Sequence, residues 1–296
     1  MLPRYESFCR CLWRRPLLRF EAGSSVYELG RQTRLMGILN VTPDSFSDGG
    51  CYLDPSAAEK KALLMQEEGA DFLDIGGESS RPGARAVSPR EEMRRILPVL
   101  KRLSKKIKIP ISIDTAKYEV ALAALEHGAR IVNDITALSG DRRMGKLIGR
   151  YEASVILMHM KGKPGTMQKR PAYRDVLTEV KRSLKNAVQK ALDSGIPKER
   201  VVVDPGFGFG KSVEHNLELL NRLNELREFK LPVLVGLSRK SFLGHLLGVP
   251  TGERLTGSLA AASVAIERGA HILRVHDVGA HRQLALLVDR MKTLRK

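Results

Sequence analysis

One helix-to-strand layout recurs along the sequence, and this repeat constrains the fold more than any other feature. The segments "EEGADFLDIG" from Glu67, "EHGARIVNDIT" from Glu126 and "ERGAHILRVHD" from Glu267 share it. In each segment a helical pattern ends at Gly-Ala, where glycine suits a left-handed helix terminus, and a short apolar strand follows at once. The repeat therefore predicts a chain built from alternating helices and strands.

Eight strand-like runs alternate with helical patterns over this chain of 296 residues. That number of alternations favours an α/β fold of the (β/α)8 TIM barrel type over a doubly wound open sheet. The pattern "SPRE" predicts one helix start, with Ser88 as the N-cap, Pro89 in the first turn and Glu91 completing a capping box. The predicted strands lie near residues 35–39, 71–75, 109–114, 130–135, 153–158, 200–204, 231–236 and 271–276.

Polar side chains stand at the ends of six of these predicted strands. One such residue alone is often a hydrogen-bonded structural group. In a barrel, however, the active site lies where the strands hand over to the loops that follow them. The recurrence at one end of the barrel therefore predicts a functional site there, built from Asn40, Asp114, Asn133, Asp204, Lys240, and Arg274 with His276.

The last two strands of the predicted barrel carry cationic and imidazole side chains. Arg274 and His276 are two residues apart on a strand, so their side chains point to one face. Together with Lys240 they are expected to gather positive charge, and the start of the last helix near Asp277 can add backbone N–H donors. This position is the usual phosphate site of a barrel, so we expect an anionic group to bind there.

Acceptor groups cluster at the ends of the middle strands. Asp114, Asn133 and Asp204 offer two carboxylates and an amide, a set that suits a flat heterocycle with N–H donors along its edge. The alternative is that all three are hydrogen-bonded structural groups. Met158 is expected at the floor of this pocket, and Phe209 either walls the pocket or packs in the core.

The segment "DPGFGFGKS" resembles a nucleotide-binding loop but does not match one. Pro205 stands where G-x-x-x-x-G-K-S requires its first glycine, and Lys211 stands where G-x-G-x-x-G requires its last. His159, after the fifth strand, is expected to be a hydrogen-bonded structural histidine. No Ser/His/Asp order or activated cysteine is present, so covalent catalysis by the protein is not expected.

The first strand runs into a turn-rich segment, "VTPDSFSDGG", which has neither helical nor strand periodicity until about Asp54. A structureless loop of this length in a compact domain is typically a functional lid or a disordered segment. Long loops are expected after the first and the second strands, and we interpret the first loop as a lid.

Composition limits the remaining possibilities. Hydrophobic residues make up 43% of the chain, and no apolar run is long enough for a membrane span, so a cytoplasmic protein that does not contact membrane is expected. Cys9, Cys11 and Cys51 form no C-x-x-C pair, so neither a disulfide framework nor a zinc site is indicated. The predicted domains are a basic extension of unknown role over residues 1–24, with a weak resemblance to a targeting peptide, and a single barrel domain over residues 25–296.

The net charge of +17 permits anionic partners. Many of the cations lie where helices would face solvent, so solvated helix faces are the preferred interpretation, and a basic nucleic-acid-binding protein is the alternative. The basic stretches lack the interleaved aromatic residues of single-strand binders, and no nucleic-acid partner is expected. Titrating duplex and single-stranded DNA at two salt concentrations would discriminate, because nucleic-acid binding is strongly salt-dependent.

Seven motifs in a fixed order resemble those of the dihydropteroate synthase family, from about residue 34 to 290. They are "ILNVTPDSFSDGG", "DIGGESSRPGA", "ISIDT", "VNDI", "DPGFGFGK", "GLSRKS" and "RVHDV". The resemblance implies a pterin-binding barrel that joins 6-hydroxymethyl-7,8-dihydropterin diphosphate to p-aminobenzoate, requires Mg²⁺, is inhibited by sulfonamides and forms a homodimer. A pterin-binding methyltransferase domain is the alternative, and methyl transfer from a folate to a corrinoid protein would reveal it.

The resemblance also implies a role for each motif residue, with Lys240, Asp204, Arg274 and His276 as the catalytic set. Asn40 touches the metal or the diphosphate. Ser80 stands where many members have threonine, which places aminobenzoate and sulfonamide affinity in question. The implied pterin diphosphate contacts are Ser80, Asp114, Asn133, Met158, Asp204, Phe209, Lys240, Arg274 and His276; those for p-aminobenzoate are Phe46, Asp48, Ser80, Arg81, Pro82 and Ser241.

Overall fold

The computed structural model describes residues 15–42, 54–79, 83–84, 86–162, 165–169 and 171–294. In these ranges an antiparallel hairpin of β1 (Leu18–Ala22) and β2 (Ser25–Leu29) precedes an eight-stranded parallel sheet. The sheet strands are β3 Arg34–Asn40, β4 Phe72–Gly76, β5 Ile111–Asp114, β6 Ile131–Asp134, β7 Ser154–Met158, β8 Val201–Asp204, β9 Leu234–Val235 and β10 Ile272–Val275.

The sheet closes into a barrel. Its strands pair in the order β8-β7-β6-β5-β4-β3-β10-β9, and a parallel bridge between Val203 and Val233 joins the two ends. Each strand is a short apolar run buried on both faces, as expected for parallel strands covered by helices. The (β/α)8 prediction is confirmed, and every predicted strand overlaps an observed one.

Helices fill the connections and cover the outside of the barrel. The seventh connection contains two helices, and in the part of the chain that the structure describes three 3-10 segments accompany the set, at Lys198–Arg200, Leu223–Phe229 and Thr251–Glu253. In the described ranges every helix is too short or too polar to span a lipid bilayer. The helices are α1 Pro55–Glu67, α2 Pro89–Leu103, α3 Tyr118–Glu126, α4 Met144–Arg150, α5 Val176–Asp193, α6 Val213–Asn221, α7 Ser241–Leu247, α8 Leu255–Glu267 and α9 Val278–Leu294.

Helix α2 begins as predicted, with one difference in its cap. The Ser88 side chain accepts a hydrogen bond from the Glu91 backbone N–H at 3.2 Å, and Pro89 stands in the first turn. The Glu91 carboxylate does not return a bond to the cap but accepts from Arg94 and Arg95. The reciprocal half of the predicted capping box is therefore wrong, because two nearby guanidinium groups compete for this carboxylate.

The hairpin closes one end of the barrel. Phe20, Ala22 and Leu29 pack against the first residues of the barrel strands, in a cluster that includes Met36 and Phe72. This packing seals the amino-terminal end and leaves the carboxyl ends of the strands as the open mouth. Residues 18–24 belong to the predicted extension, and here they form the first half of that hairpin; the segment 1–14 and the first loop, including its predicted lid, lie outside the described residues.

Candidate active site

Polar side chains at the carboxyl ends of the strands line two adjoining cavities in the mouth of the barrel. The outer cavity has a volume of about 420 Å³. Both cavities are lined by Asp114, Phe209, Lys240 and Arg274, so they form one continuous site. The inner cavity adds Asn133, Met158, Asp204 and Phe207, and the outer one adds Asn40, Ser238, Ser241, Arg254 and His276.

Arg274 links strands across the inner cavity. Its Nε donates to Asp74 Oδ2 at 2.6 Å and its Nη2 donates to Asp114 Oδ2 at 2.7 Å, while Asn133 Nδ2 donates to the same Asp74 oxygen at 3.0 Å. Asp74 is completely buried. Burial raises the pKa of Asp114 to about 7; the Arg274 charge opposes this rise and the Asp74 charge adds to it. The cluster therefore presents carboxylate oxygens around one shared guanidinium.

Asp204 is fixed by its own backbone. The Gly206 N–H donates to Asp204 Oδ1 at 2.7 Å, and the carboxylate lies at the wall of the inner cavity. Burial raises the pKa of Asp204, whereas the Gly206 N–H and the Lys240 ammonium lower it. The result is a preoriented acceptor for N–H donors on a ligand edge.

Lys240 is directed into the mouth by the residue before it. Arg239 has a φ of 56°, a left-handed conformation that costs a non-glycine residue about 1–2 kcal/mol. This backbone is held by a bond from the Arg239 N–H to Ser258 Oγ at 2.9 Å and by the ion pair of Arg239 with Asp277. Lys240 Nζ then lies 4.1 Å from the centre of the Phe209 ring, within the range of cation–π attraction.

His276 contributes a hydrogen-bond donor more than a charge. Burial, followed by the Arg274 charge, lowers the pKa of His276 to about 3, so the imidazole is neutral near pH 7. The Ser238 hydroxyl oxygen accepts from the His276 backbone N–H at 3.2 Å, and the same hydroxyl lies 3.0 Å from Nδ1. When Ser238 donates to Nδ1, the imidazole proton is on Nε2. The positive charge expected from sequence at this position is therefore carried by Arg274 and Lys240, and His276 adds a neutral donor.

The structure brings the predicted strand-end residues together. Asn133 and Asp204 line the inner cavity, Asn40 and His276 line the outer one, and both cavities share the remaining three. Met158 and Phe209 line the inner cavity, and Ser241 lines the outer one. The predicted residues Phe46, Asp48, Ser80, Arg81 and Pro82 lie outside the described residues.

Sequence reasoning missed two residues that orient this site. Asp74 interrupts the apolar run "FLDIG" inside the second barrel strand, whereas Asp114 and Asp204 were identified because they end their strands. Ser238 lies two residues before Lys240 and carries no distinguishing sequence signal. Both act through their neighbours, since Asp74 binds Arg274 and Asn133, and Ser238 binds His276.

The donor set allows only a sparse metal site. Among the described residues no cluster of three or more His, Cys, Asp or Glu side chains is placed to hold a metal ion. Asn40 supplies a side-chain amide oxygen at the end of β3, in the outer cavity that His276 also lines. Mg²⁺ commonly takes one or two protein oxygens and completes its shell with water and substrate phosphates. These residues therefore fit Mg²⁺ bound together with a phosphorylated ligand.

Taken together, the fold and the site define a barrel of the enzyme type, with carboxylate and amide acceptors beside two cationic side chains at its mouth. The sequence pattern of the family described as "Pterin binding enzyme" matches residues 36–276. Dihydropteroate synthase of Escherichia coli K12 is 50% identical over 246 residues, which cover 82% of this chain and 86% of the relative.

Two solved structures show the same likeness in three dimensions. Yersinia pestis dihydropteroate synthase in a sulfonamide drug complex has a TM-score of 0.88 and 41% identity, covering 93% of this chain and 100% of that one. Xanthomonas albilineans dihydropteroate synthase with 4-aminobenzoic acid has a TM-score of 0.86 and 44% identity, covering 95% and 99%. The chain belongs to the dihydropteroate synthase family and is a transferase of folate biosynthesis. These relatives favour the family over the methyltransferase alternative.

Proposed function

We propose that this chain condenses 6-hydroxymethyl-7,8-dihydropterin diphosphate with p-aminobenzoate to give 7,8-dihydropteroate and diphosphate. The observation that carries the proposal is the pairing of the two cavities: carboxylates and an amide line the inner one, and Arg274, Lys240 and His276 border the outer one. The inner cavity, about 10 Å³, is too small to hold a ring, so a pterin would lie in the outer cavity with its N–H edge toward the inner acceptors, and the diphosphate would lie toward His276. The Xanthomonas relative with 4-aminobenzoic acid supports the choice of second substrate.

Asp114, Asn133, Asp204 and Lys240 hold the pterin in this proposal. Asp204 and Asp114 accept hydrogen bonds from ring N–H and amino groups, and Asn133 supplies an amide. Met158 and Phe209 pack against the ring faces. Lys240 completes the pocket from the Phe209 side.

The chemical step is departure of diphosphate. The C–O bond between the pterin methylene and the diphosphate breaks, the electron pair leaves with the diphosphate oxygen, and the ring delocalises the remaining cation. Arg274 and the Nε2–H of His276 stabilise the departing charge, which is the main demand of such a reaction. The arylamine nitrogen then bonds to the methylene carbon, and the product ammonium loses its proton to water without a dedicated base.

Enzymes of this family use a metal ion, and we propose that the ion is Mg²⁺. Asn40 would hold it together with diphosphate oxygens. The ion supplies charge neutralisation at the leaving group.

The aminobenzoate side is built in our proposal from Phe46, Asp48, Ser80, Arg81, Pro82 and Ser241. Ser241 lines the outer cavity, directly after Lys240. The other five residues are assigned from the motif resemblance to the dihydropteroate synthase family. Because Ser80 lacks the methyl of threonine, any effect is expected on aminobenzoate or sulfonamide affinity and not on the chemical step.

A coupling assay with the pterin diphosphate, p-aminobenzoate and Mg²⁺ tests the function. Formation of dihydropteroate and diphosphate in equal amounts is the expected result. Methyl transfer from a folate to a corrinoid protein, with no coupling product, would support the alternative instead.

His276→Ala is expected to weaken diphosphate binding about tenfold, or about 1.4 kcal/mol, because it removes one N–H donor from the anion site. Asn40→Ala should weaken the part of diphosphate binding that depends on Mg²⁺. Calorimetric titration of inorganic diphosphate, with and without Mg²⁺, measures both effects. His245→Ala, an exposed histidine on α7, is the matched control. If both variants bind diphosphate as tightly as the parent, the anion site lies elsewhere.

Aminobenzoate is expected to bind only after the first substrate, because the two long loops complete its pocket when the anion site is full. The affinity of a sulfonamide should therefore rise at least about tenfold when the enzyme is preloaded with pterin, diphosphate and Mg²⁺. Phe46→Ala and Pro82→Ala should raise the KM for aminobenzoate and leave pterin affinity within about threefold, or about 0.65 kcal/mol. Equal sulfonamide affinity with and without preloading would show that the first loop is a passive connection.

We further propose a homodimer in the cytoplasm. Large apolar side chains are exposed on three successive helices, and contiguous exposed apolar surface is typical of association sites. Sedimentation equilibrium tests the dimer. The exposed side chains are Leu246 and Leu247 on α7, Val264 on α8, and Leu286, Leu287 and Met291 on α9.

A further inference from the structure

Lys211 is a buried lysine in the segment that resembles a nucleotide loop, and none of the roles proposed above uses it. The residue is only 2% exposed. Its Nζ lies 2.8 Å from the Gly206 carbonyl oxygen, 3.2 Å from the Phe209 carbonyl oxygen and 3.0 Å from His159 Nδ1. An ammonium has three donors, and each has an acceptor here. Burying a cation is costly unless it is fully bonded, so the arrangement points to a role beyond packing.

The bonds of Lys211 fix the two ends of one tight turn. The Phe209 N–H donates to the Gly206 carbonyl oxygen at 3.2 Å, and Lys211 Nζ binds the carbonyl oxygens of both residues. Gly206 has a φ of 71°, and a side chain there would collide with the His159 carbonyl oxygen. The turn is thus pressed against the end of the fifth barrel strand, where His159 lies.

The same turn carries groups of the inner cavity. The Gly206 N–H orients the Asp204 carboxylate, and the Phe209 ring faces Lys240 Nζ. Lys211 lies behind the turn and is not among the residues that line either cavity. Its electrostatic environment is shared with the site: burial lowers the pKa of Lys211 to about 7, while Asp204 raises it and Lys240 lowers it further.

We propose that Lys211 is a positioning residue for the pterin pocket. Together with His159 it locks the turn over residues 206–209, so that the Asp204 carboxylate and the Phe209–Lys240 wall meet the ring in fixed positions. This inference deepens the proposed function and rests on it.

The test compares Lys211→Met with the parent and with Lys185→Met, the same substitution at an exposed position on α5. Calorimetry with a pterin and, separately, with inorganic diphosphate measures the two halves of the site. Lys211→Met is expected to weaken pterin binding at least about tenfold and to leave diphosphate binding within about twofold. In steady-state kinetics the KM for the pterin diphosphate should rise while the KM for aminobenzoate stays unchanged.

A purely structural role predicts a different result, namely a lower Tm with a normal pterin Kd for the folded molecules. That result would overturn the inference and leave the proposed function intact. A parent that binds no pterin would overturn both the inference and the proposed function.

Lys211→Gln keeps amide donors for one carbonyl oxygen and should weaken pterin binding about threefold. If Lys211→Met does not fold, a parental pterin Kd in Lys211→Gln overturns the inference.

Discussion

Asp204→Ala and Lys240→Ala are each expected to lower kcat/KM at least about 100-fold, which corresponds to about 2.7 kcal/mol of transition-state stabilisation. Asp204 is 5% exposed, and its carboxylate is already oriented by the Gly206 N–H, so little ordering remains when a ring binds. Hydrogen bonds that involve a charged group in such a site contribute about 1.5–3 kcal/mol each. Lys240 is similarly preassembled against the Phe209 ring.

Two measurements separate binding from chemistry in these variants. Calorimetry with a pterin should show weaker binding by both, and single-turnover coupling should show how much of the loss belongs to the chemical step. Asp193→Ala and Lys185→Ala change exposed residues on α5 and serve as matched controls. Pterin binding equal to that of the parent in both variants would exclude these side chains from the pocket.

The placement of Asp204 and Lys240 could be predicted from sequence because a barrel imposes a strong rule. Every strand points the same way, so polar residues that end separate apolar runs must meet at one mouth. That rule identified Asp114, Asn133 and Asp204, and the structure places all three in one cavity. The helix-terminal glycines follow a similar rule, since Gly69 and Gly128 have the left-handed φ values, 97° and 99°, that the repeat predicted.

What sequence reasoning could not supply was the pairing among the polar groups. The charge state of His276 depends on its burial and on the Arg274 charge, and its ring contacts the Ser238 hydroxyl, which is 38 residues away in the chain. The turn around Gly206 depends on contact with His159, on a different strand. Such contacts form only once the barrel has closed, so no local pattern encodes them.

Asp74 also shows that sequence reasoning cannot identify partners that are distant in the chain. It lies in the middle of β4 and not at a strand end, so the rule for strand ends did not select it, and its importance comes from its partners. Arg274 is 200 residues away and binds it at 2.6 Å. From sequence, Arg274 was expected to serve the diphosphate alone. The structure shows that Arg274 forms ion pairs with the buried carboxylate of Asp74 and the partly buried carboxylate of Asp114.

This second task makes Arg274→Ala the most disruptive single change we expect. Activity should fall at least about 100-fold, because the proposed function makes Arg274 the arginine that stabilises the departing diphosphate. Stability should also fall by about 3–5 kcal/mol, because the buried Asp74 and the partly buried Asp114 lose their shared guanidinium. The loss should be measurable by urea-induced unfolding.

The stability loss is expected to depend on pH, and its sign follows from Asp114. In the parent, burial already raises the pKa of Asp114 to about 7, above the value of about 3.9 for an unfolded chain. A raised carboxyl pKa means that stability is fully present below the unfolded pKa and is lost as pH rises through the folded pKa. Removing Arg274 removes the charge that lowers this pKa, so the folded pKa of Asp114 rises further in the variant. The difference in unfolding free energy between parent and Arg274→Ala should therefore be nearly constant from pH 5 to about pH 6 and grow as the pH rises through about 7, so that it is larger at pH 8 than at pH 5.

The double variant Arg274→Ala/Asp74→Asn separates the two tasks of Arg274. Asparagine fills the same volume as Asp74 without its charge, so the double variant should regain much of the stability lost by Arg274→Ala at pH 8. It should not regain activity, because the leaving group still lacks its cation. Urea-induced unfolding at pH 5 and at pH 8, together with the coupling assay on the same preparations, gives the full comparison. If the double variant is no more stable than Arg274→Ala, or if the stability gap is the same at both pH values, Arg274 does not act as the counterion of these carboxylates.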